Sequence, residues 1–388
     1  TGIYSCRRYL WHQQSPGYPQ PFPRPVFIIA PMNKNGCVLA FLVFLAALGL
    51  RLPFIAHPSA VVFDEGAYVT YALHTAEGLP FFNVHPPLGN LIFLGALQPV
   101  KDSWKTRYYH MEPFDDVPYV NMRLVNAVLG SLLASIIFAL GTLWYRNTAA
   151  GLLASSLVIL DPALIIYSRF ILPDMAILVF GFGALLALTQ GLAATQKNAR
   201  GIFIILSGIL LGLAAAVKWT GLGFWGLAIL YIMNQKQKWL RVCGISAFLI
   251  LSYSAVFVWH FSYFDGGAPN PFQFKNETVS ALQFPQGGNI KDIIAFLPKY
   301  HYAMFISNFE YQNYPGSSPP YKWPFGQNVM GFWQSGNAGI MLMGNFLTWT
   351  AAFIGILTII AFLAAARRMP VSLPFPKDAG LFITAGYL

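Results

Sequence analysis

A chain of 388 residues that is 56% hydrophobic, 16% aromatic and only 10% charged, with a mean hydropathy of +0.53, carries too much apolar surface for a water-soluble globular domain. Its 24 Lys and Arg against 14 Asp and Glu leave a net charge of +10. That surplus is spread along alternate connections between apolar runs, which excludes a concentrated polyanion site, so no nucleic-acid partner is expected. Three cysteines without regular spacing, Cys6, Cys37 and Cys243, exclude a disulfide framework and a thiolate metal site.

Residues 1–35, with prolines at 16, 19, 21, 23, 25 and 31, read as a cytoplasmic, weakly ordered extension, and Met32 is a candidate start. Residues 36–388 read as one all-α polytopic membrane domain, because lipid leaves unpaired backbone groups no partner outside a helix. The predicted spans cover about 36–56, 122–145, 149–167, 174–195, 201–217, 220–234, 242–262 and 339–366. Most approach the roughly 20 residues that cross a bilayer core. The first lacks a small-residue cleavage pattern and reads as an anchor. Residues 381–388 look like the start of a ninth span, so the chain reads as lacking later C-terminal helices.

Thirteen of the 24 basic residues fall in alternate connections with a single acid, Asp378. By the positive-inside rule these connections and the N-terminus are cytoplasmic. Two long loops, about 57–121 and 263–338, are then external; they hold most of the acids, many aromatics and the Asn276-Glu277-Thr278 sequon. Long loops between spans are usually functional. The Pro- and Gly-interleaved aromatics of 314–326 suit a segment lying at the headgroup level.

The first loop carries FDEGAY at 63–68 and FFNVHPPLGN at 81–90. Asp64 suits the N-cap of a helix running to about Glu77, where residues 64, 68, 71 and 75 share a face. A carboxylate at a helix N-terminus also stays ionised and can accept a proton, so cap and general base are compatible roles. The prolines of His85-Pro86-Pro87 set an extended turn that positions the histidine. Four cations bound spans on the outer side: Arg51, Arg123, Arg169 and Lys218. Snorkelling explains such residues by default. Arg169, flanked by Asp161 and Asp174, and Lys218 also suit a lipid-linked phosphate, which Arg binds through its planar fork. No Walker A loop, HExxH or CxxC pair occurs. No cofactor is called for. The acidic pair alone offers few ligands for a divalent cation, and the involvement of one is left open.

FDEGAYVTYA, FFNVHPPLGN, RLVNAVLGSLLAS, ILDPALIIYSRFILPDM, AAAVKWTGL and the late KWPFG…GNFLTW occur in that order over residues 36–366. As an ordered set they resemble the dolichyl-phosphate-mannose protein O-mannosyltransferases, membrane enzymes with the GT-C glycosyltransferase fold. The resemblance implies a polyprenyl (dolichyl) phosphate mannose donor, Ser/Thr hydroxyls of proteins as acceptors, and membrane lipids around the spans; it leaves a dimer open. It implies Asp64 as the catalytic carboxylate, Glu65 as helper or acceptor contact, and Arg123 and Arg169 near the lipid phosphate with Lys218 contributing. His85 and Pro86 form the supporting loop, and Asp174 belongs to the SRF-x-x-x-D stretch. Departures are Gly66 and Ala67 after the acidic pair, Asn90 where Lys is usual, Pro173 where Leu is usual, and a second loop too short for the β-trefoil domain of eukaryotic members. They point to a bacterial-type or divergent member, in the plasma membrane if bacterial and the endoplasmic reticulum if eukaryotic.

Two other readings fit parts of this pattern. One is a GT-C transferase that moves another polyprenyl-phosphate-linked sugar to a lipid or cell-envelope glycan. The other is a proton-coupled transporter using Asp64, Asp161 and Asp174, which would carry mid-membrane charges and internal repeats. Here the charges crowd at one face.

Overall fold

A computed structural model describes residues 32–97, 107–115, 117–233, 235, 237–270, 276–286, 288–310, 319, 322, 325 and 330–366. The expected extension over 1–31 and the expected ninth span lie outside the described residues. Helix α1, Lys34–Arg51, starts where Asn33 Oδ1 accepts the Gly36 amide at 2.8 Å, and stops short of Pro53 rather than reaching residue 56. Helix α4, Tyr119–Tyr145, ends at Arg146 in the left-handed conformation, and Asn147 caps α5, Thr148–Leu160. The expected single span over 149–167 is two helices. Pro162 has no amide to continue the ladder and disfavours helical backbone at Asp161, which is extended and caps α6, Pro162–Tyr167, through the Leu164 amide.

Helices α7, Asp174–Ala193, α8, Lys197–Val217, and α10, Lys238–Phe261, follow expectation, except that α8 and α10 take in the basic residues at their starts. Between α8 and α10, a 3₁₀ turn at Trp219–Gly221 leads into the short α9, Leu222–Met233. Five helices among the described residues, α1, α4, α7, α8 and α10, are long and apolar enough to cross a membrane. The eight complete spans expected therefore include shorter, interrupted pieces. The expected span over 339–366 begins instead as a hairpin, β1, Met330–Ser335, and β2, Ala338–Leu342, turning at Gly336 with φ +55. Gly-Asn between two short runs is a hairpin signal that outweighs apolarity here. Helix α13, Phe346–Ala366, follows, with Asn345 Oδ1 accepting the Thr348 amide.

The membrane helices pack through small residues. A Cβ on Gly212 would strike Ser252 Oγ and the Leu249 carbonyl, so glycine lets α8 approach α10 closely. Over one end of this bundle lies a second layer made by the two long loops: α2, Glu65–Ala76, α3, Leu88–Leu94, α11, Glu277–Ser280, and α12, Ile290–Glu310. Its core is aromatic. Phe81, Phe261, Phe264, Phe284, Phe296 and Tyr300 bury almost completely, with ring centroids 5.1–5.9 Å apart in several edge-to-face pairs. Burying each such ring contributes roughly 1.5–3 kcal/mol, which offsets the entropy of ordering long loops.

Candidate active site

The segment entering α2 is held by an aromatic stack. Phe63 has φ +50, a conformation a bulky L-residue adopts only when its surroundings demand it. Its ring stacks on Phe332 of β1 at 4.3 Å and 2°, and its amide donates to the Phe332 carbonyl at 3.1 Å. The next two carboxylates diverge. Asp64 occupies the N-cap position but makes no capping hydrogen bond, and its side chain is exposed. Surrounding protein nevertheless raises its pKa, chiefly by desolvation, with Asp174 adding to the rise while Lys218 and His110 oppose it.

Glu65 is fully buried. Its Oε1 accepts from Arg123 Nε at 2.8 Å and the Ile171 amide at 2.9 Å; its Oε2 accepts from Arg123 Nη2 at 2.7 Å and the Val62 amide at 2.9 Å. Arg123 is equally buried and donates further to the carbonyls of Ile55, Pro58 and Ala60. Phe114, Tyr119 and Phe170 surround its guanidinium at 4.9–5.5 Å. This saturated pair ties α2 to α4, to residues 55–60 and to the α6–α7 turn. In this structure the polar groups of Glu65, expected above as helper or acceptor contact, and of Arg123, expected near the lipid phosphate, are turned to each other and to the backbone.

Around Asp64 a different set gathers. Asp174, the first residue of α7, pairs with Lys218 at 2.9 Å, and both stay partly open, with side-chain exposures of 30% and 21%. His85 is held neutral, its pKa pushed down to about 4 by burial and by Lys218, against the pull of Asp174. Tyr68, one helical turn from Asp64, and Tyr167 at the end of α6 have raised pKa values, from burial and then the fields of Asp174 and Asp64. Asp64, Tyr68, His85, Tyr167, Asp174 and Lys218 thus form one electrostatic cluster at the loop-covered end of the bundle. Tyr167 and His110 went unassigned in the sequence; only spatial neighbourhood reveals them.

Arg169 lies apart. Its Nη2 donates to the Pro53 carbonyl at 2.5 Å, and burial and repulsion from Arg123 lower its pKa. Arg51 is buried beneath, donating to Ser168 Oγ at 2.9 Å and the Ala47 carbonyl at 3.0 Å.

Several departures noted in the sequence have local causes. A Cβ on Gly66 would meet the Tyr108 carbonyl at 2.5 Å, and one on Gly89 would meet Pro173 Cβ at 2.8 Å. The second contact docks α3, and with it the His85-Pro86-Pro87 turn, against the start of α7 and the end of α8. Asn90 is buried and accepts from Asn83 Nδ2, where a lysine charge would need a partner. Among the described residues no three His, Cys, Asp or Glu side chains gather as metal ligands.

Residues 41–264 match the sequence model of the family described as dolichyl-phosphate-mannose-protein mannosyltransferase, and residues 295–383 match the C-terminal four TMM region of protein-O-mannosyltransferase. The chain is 31% identical over 218 residues to protein O-mannosyltransferase 1 of Drosophila pseudoobscura pseudoobscura, covering 54% of this chain and 23% of that one. It is 26% identical over 300 residues to protein O-mannosyl-transferase 2 of Danio rerio, covering 71% and 37%. The chain thus spans well under half the length of these curated relatives. Among solved structures it resembles the S. cerevisiae protein O-mannosyltransferase Pmt1-Pmt2 complex bound to the sugar donor, with TM-score 0.72, 14% identity, and coverage of 92% of this chain and 80% of that one. The shared fold is the helical membrane architecture of GT-C type expected from the sequence.

Proposed function

Because the chain belongs to the dolichyl-phosphate-mannose-protein mannosyltransferase family, we propose that it transfers mannose from a polyprenyl (dolichyl) phosphate to Ser or Thr hydroxyls of proteins, inverting the anomeric carbon. The observation that carries this reading is the gathering of an exposed carboxylate, Asp64, with the Lys218–Asp174 pair and neutral His85 at one end of a membrane bundle. There a lipid-borne sugar can meet a water-borne acceptor.

In the proposed step the acceptor oxygen attacks the anomeric carbon and its proton passes to Asp64. The bond from that carbon to the phosphate oxygen breaks, and the electron pair leaves on polyprenyl phosphate. Phosphate is a good leaving group, so a cation suffices where another reaction would need a general acid. Lys218 fits that part, turning from Asp174 towards the phosphate. Arg169, half-buried with its Nε lacking a hydrogen-bond partner among the described residues, is a second candidate. Glu65 and Arg123 are assigned instead to bracing the loop that presents Asp64, and Pro86 to fixing the turn that carries His85.

The basic connections support an orientation with the N-terminus cytoplasmic and this cluster on the external or lumenal side. The solved relative is a two-protein complex, which supports a second, related subunit as partner. The test is transfer from polyprenyl-phosphate-mannose to a Ser/Thr-rich peptide by membranes carrying the full-length protein. Asp64→Asn is expected to abolish transfer while the protein stays folded and inserted; parental transfer by that variant would overturn the assignment.

A further inference from the structure

Helix α12 belongs to the second external loop, yet it grips both the segment that carries His85 and, through α10, the segment that carries Lys218. On one side, Tyr300 Oη accepts from the Asn83 amide at 3.2 Å, and Asn308 Nδ2 donates to the Val84 carbonyl at 2.9 Å. Asn83 Oδ1 in turn accepts from the His85 amide at 3.1 Å. On the other side runs a chain of hydrogen bonds whose directions are all determined. His301 Nδ1 lies 2.8 Å from the Leu297 carbonyl oxygen, which can only accept, so that nitrogen carries the proton. In the neutral ring, which burial favours, Nε2 then accepts from the Tyr253 hydroxyl at 2.8 Å. The Tyr253 oxygen accepts the Trp219 indole N–H at 3.0 Å. Burial lowers the His301 pKa, opposed by the Leu297 hydrogen bond, and the ring packs against Phe257 and Trp219 at 4.7 and 6.4 Å.

Trp219 directly follows Lys218, whose backbone is extended at φ −150 and ψ 150. Extended backbone sends successive side chains to opposite sides, so fixing the indole on the α10–α12 side leaves the lysine on the Asp174 side. Gly221 presses the same turn onto Ala214 and Ala215 of α8, where a Cβ would collide. The indole is the turn's tie to the α10–α12 side, and His301 holds it through Tyr253.

We infer that His301 is a positioning residue, acting through Tyr253 and Trp219 to set where Lys218 presents its ammonium, while Tyr300 and Asn308 set the His85 turn from the same helix. The inference rests on the reading of Lys218 as a donor-phosphate contact. Under it, the second external loop tunes donor binding without touching the donor.

The test uses the full-length protein in lipid nanodiscs with dolichyl phosphate as the binding probe, and 5-fluorotryptophan labelling with the Trp219 resonance assigned through Trp219→Phe. Tyr253→Phe and His301→Ala are expected to shift the Trp219 fluorine signal and weaken dolichyl phosphate binding roughly five- to tenfold, the scale of one lost hydrogen bond. KM for the donor should rise more than kcat falls. His301→Gln, which offers one donor and one acceptor in similar places, should restore most of both. Unfolding temperatures identify any variant that merely misfolds, for which Tyr253→Phe, a single-oxygen deletion, stands as the mild control. An unmoved Trp219 signal in both variants overturns the inference. So does parental affinity in both when Lys218→Ala binds weakly. If Lys218→Ala itself binds at parental affinity, the donor-phosphate reading has failed, and the Trp219 signal alone decides whether His301 positions the turn.

Discussion

A helix start turns successive side chains by about 100°, and at residues 64 and 65 that rotation separates a solvent-facing carboxylate from one sealed against Arg123. The two should therefore fail differently when altered. Glu65→Ala leaves a buried guanidinium without its counter-charge, a change that costs about 3–5 kcal/mol in buried pairs. Thermal unfolding in detergent should reveal the loss of stability, whereas Asp64→Asn should unfold close to the parent. The raised pKa of Asp64 has a kinetic consequence. A base must be ionised to accept a proton, so raising its pKa moves the acid limb of kcat/KM to higher pH than an ordinary aspartate gives. Asp174 contributes to that rise while its partner Lys218 opposes it. Asp174→Asn removes the first and frees the second, so both changes lower the Asp64 pKa. The acid limb of a pH–rate profile is expected to move to lower pH in this variant; movement the other way would contradict the assigned electrostatics.

At the scale of elements, Asp161 joins parts that the sequence keeps far apart. Its Oδ1 caps α6, and its Oδ2 accepts from the Asn345 amide at 3.3 Å and the Trp349 indole at 3.1 Å, hooking the start of α13 to the break between α5 and α6. Losing a cap alone costs about 1 kcal/mol; here a second element is released as well. Asp161→Ala should raise hydrogen exchange at residues 345–350 by about tenfold or more relative to the core of α10, measured by mass spectrometry. Asp161→Asn, which retains acceptor capacity, should do so less. A helix boundary was legible at the start of α7, directly after Pro173, whereas the expected first span ran past Pro53 and the basic cluster expected before α10 lies inside that helix. The division at Asp161-Pro162 was legible too, but an apolar count over 149–167 obscured it. The hairpin over 330–342 was hidden for a related reason, since GIML reads as lipid-facing unless the Gly-Asn turn before it is given weight.

For the whole molecule, the basic residues and the tertiary packing describe the same polarity. Helices α1 and α8 end, and α4 and α7 begin, at the end of the bundle covered by the loops, away from the basic starts of α8 and α10. An impermeant maleimide should therefore label Lys291→Cys and Lys197→Cys from opposite sides of sealed vesicles, in a background without Cys6, Cys37 and Cys243. Both positions are exposed, so labelling of both from one side would contradict the topology.

The apolar spanning helices and the family followed from the sequence alone, because hydropathy and ordered motifs are properties of the chain read in one dimension. So did the face shared by Asp64 and Tyr68, since helical periodicity is local. What a cation does with its hydrogen-bonding groups was decided only by tertiary structure. Arg123, Arg169 and Lys218 look alike as positive residues at the outer ends of spans. Packing saturates Arg123 with Glu65 and carbonyls, sets Arg169 on the Pro53 carbonyl just beyond α1, and leaves Lys218 beside Asp174 near the exposed Asp64. The partners that separate these roles lie tens to hundreds of residues away, and no local pattern encodes the distance between them.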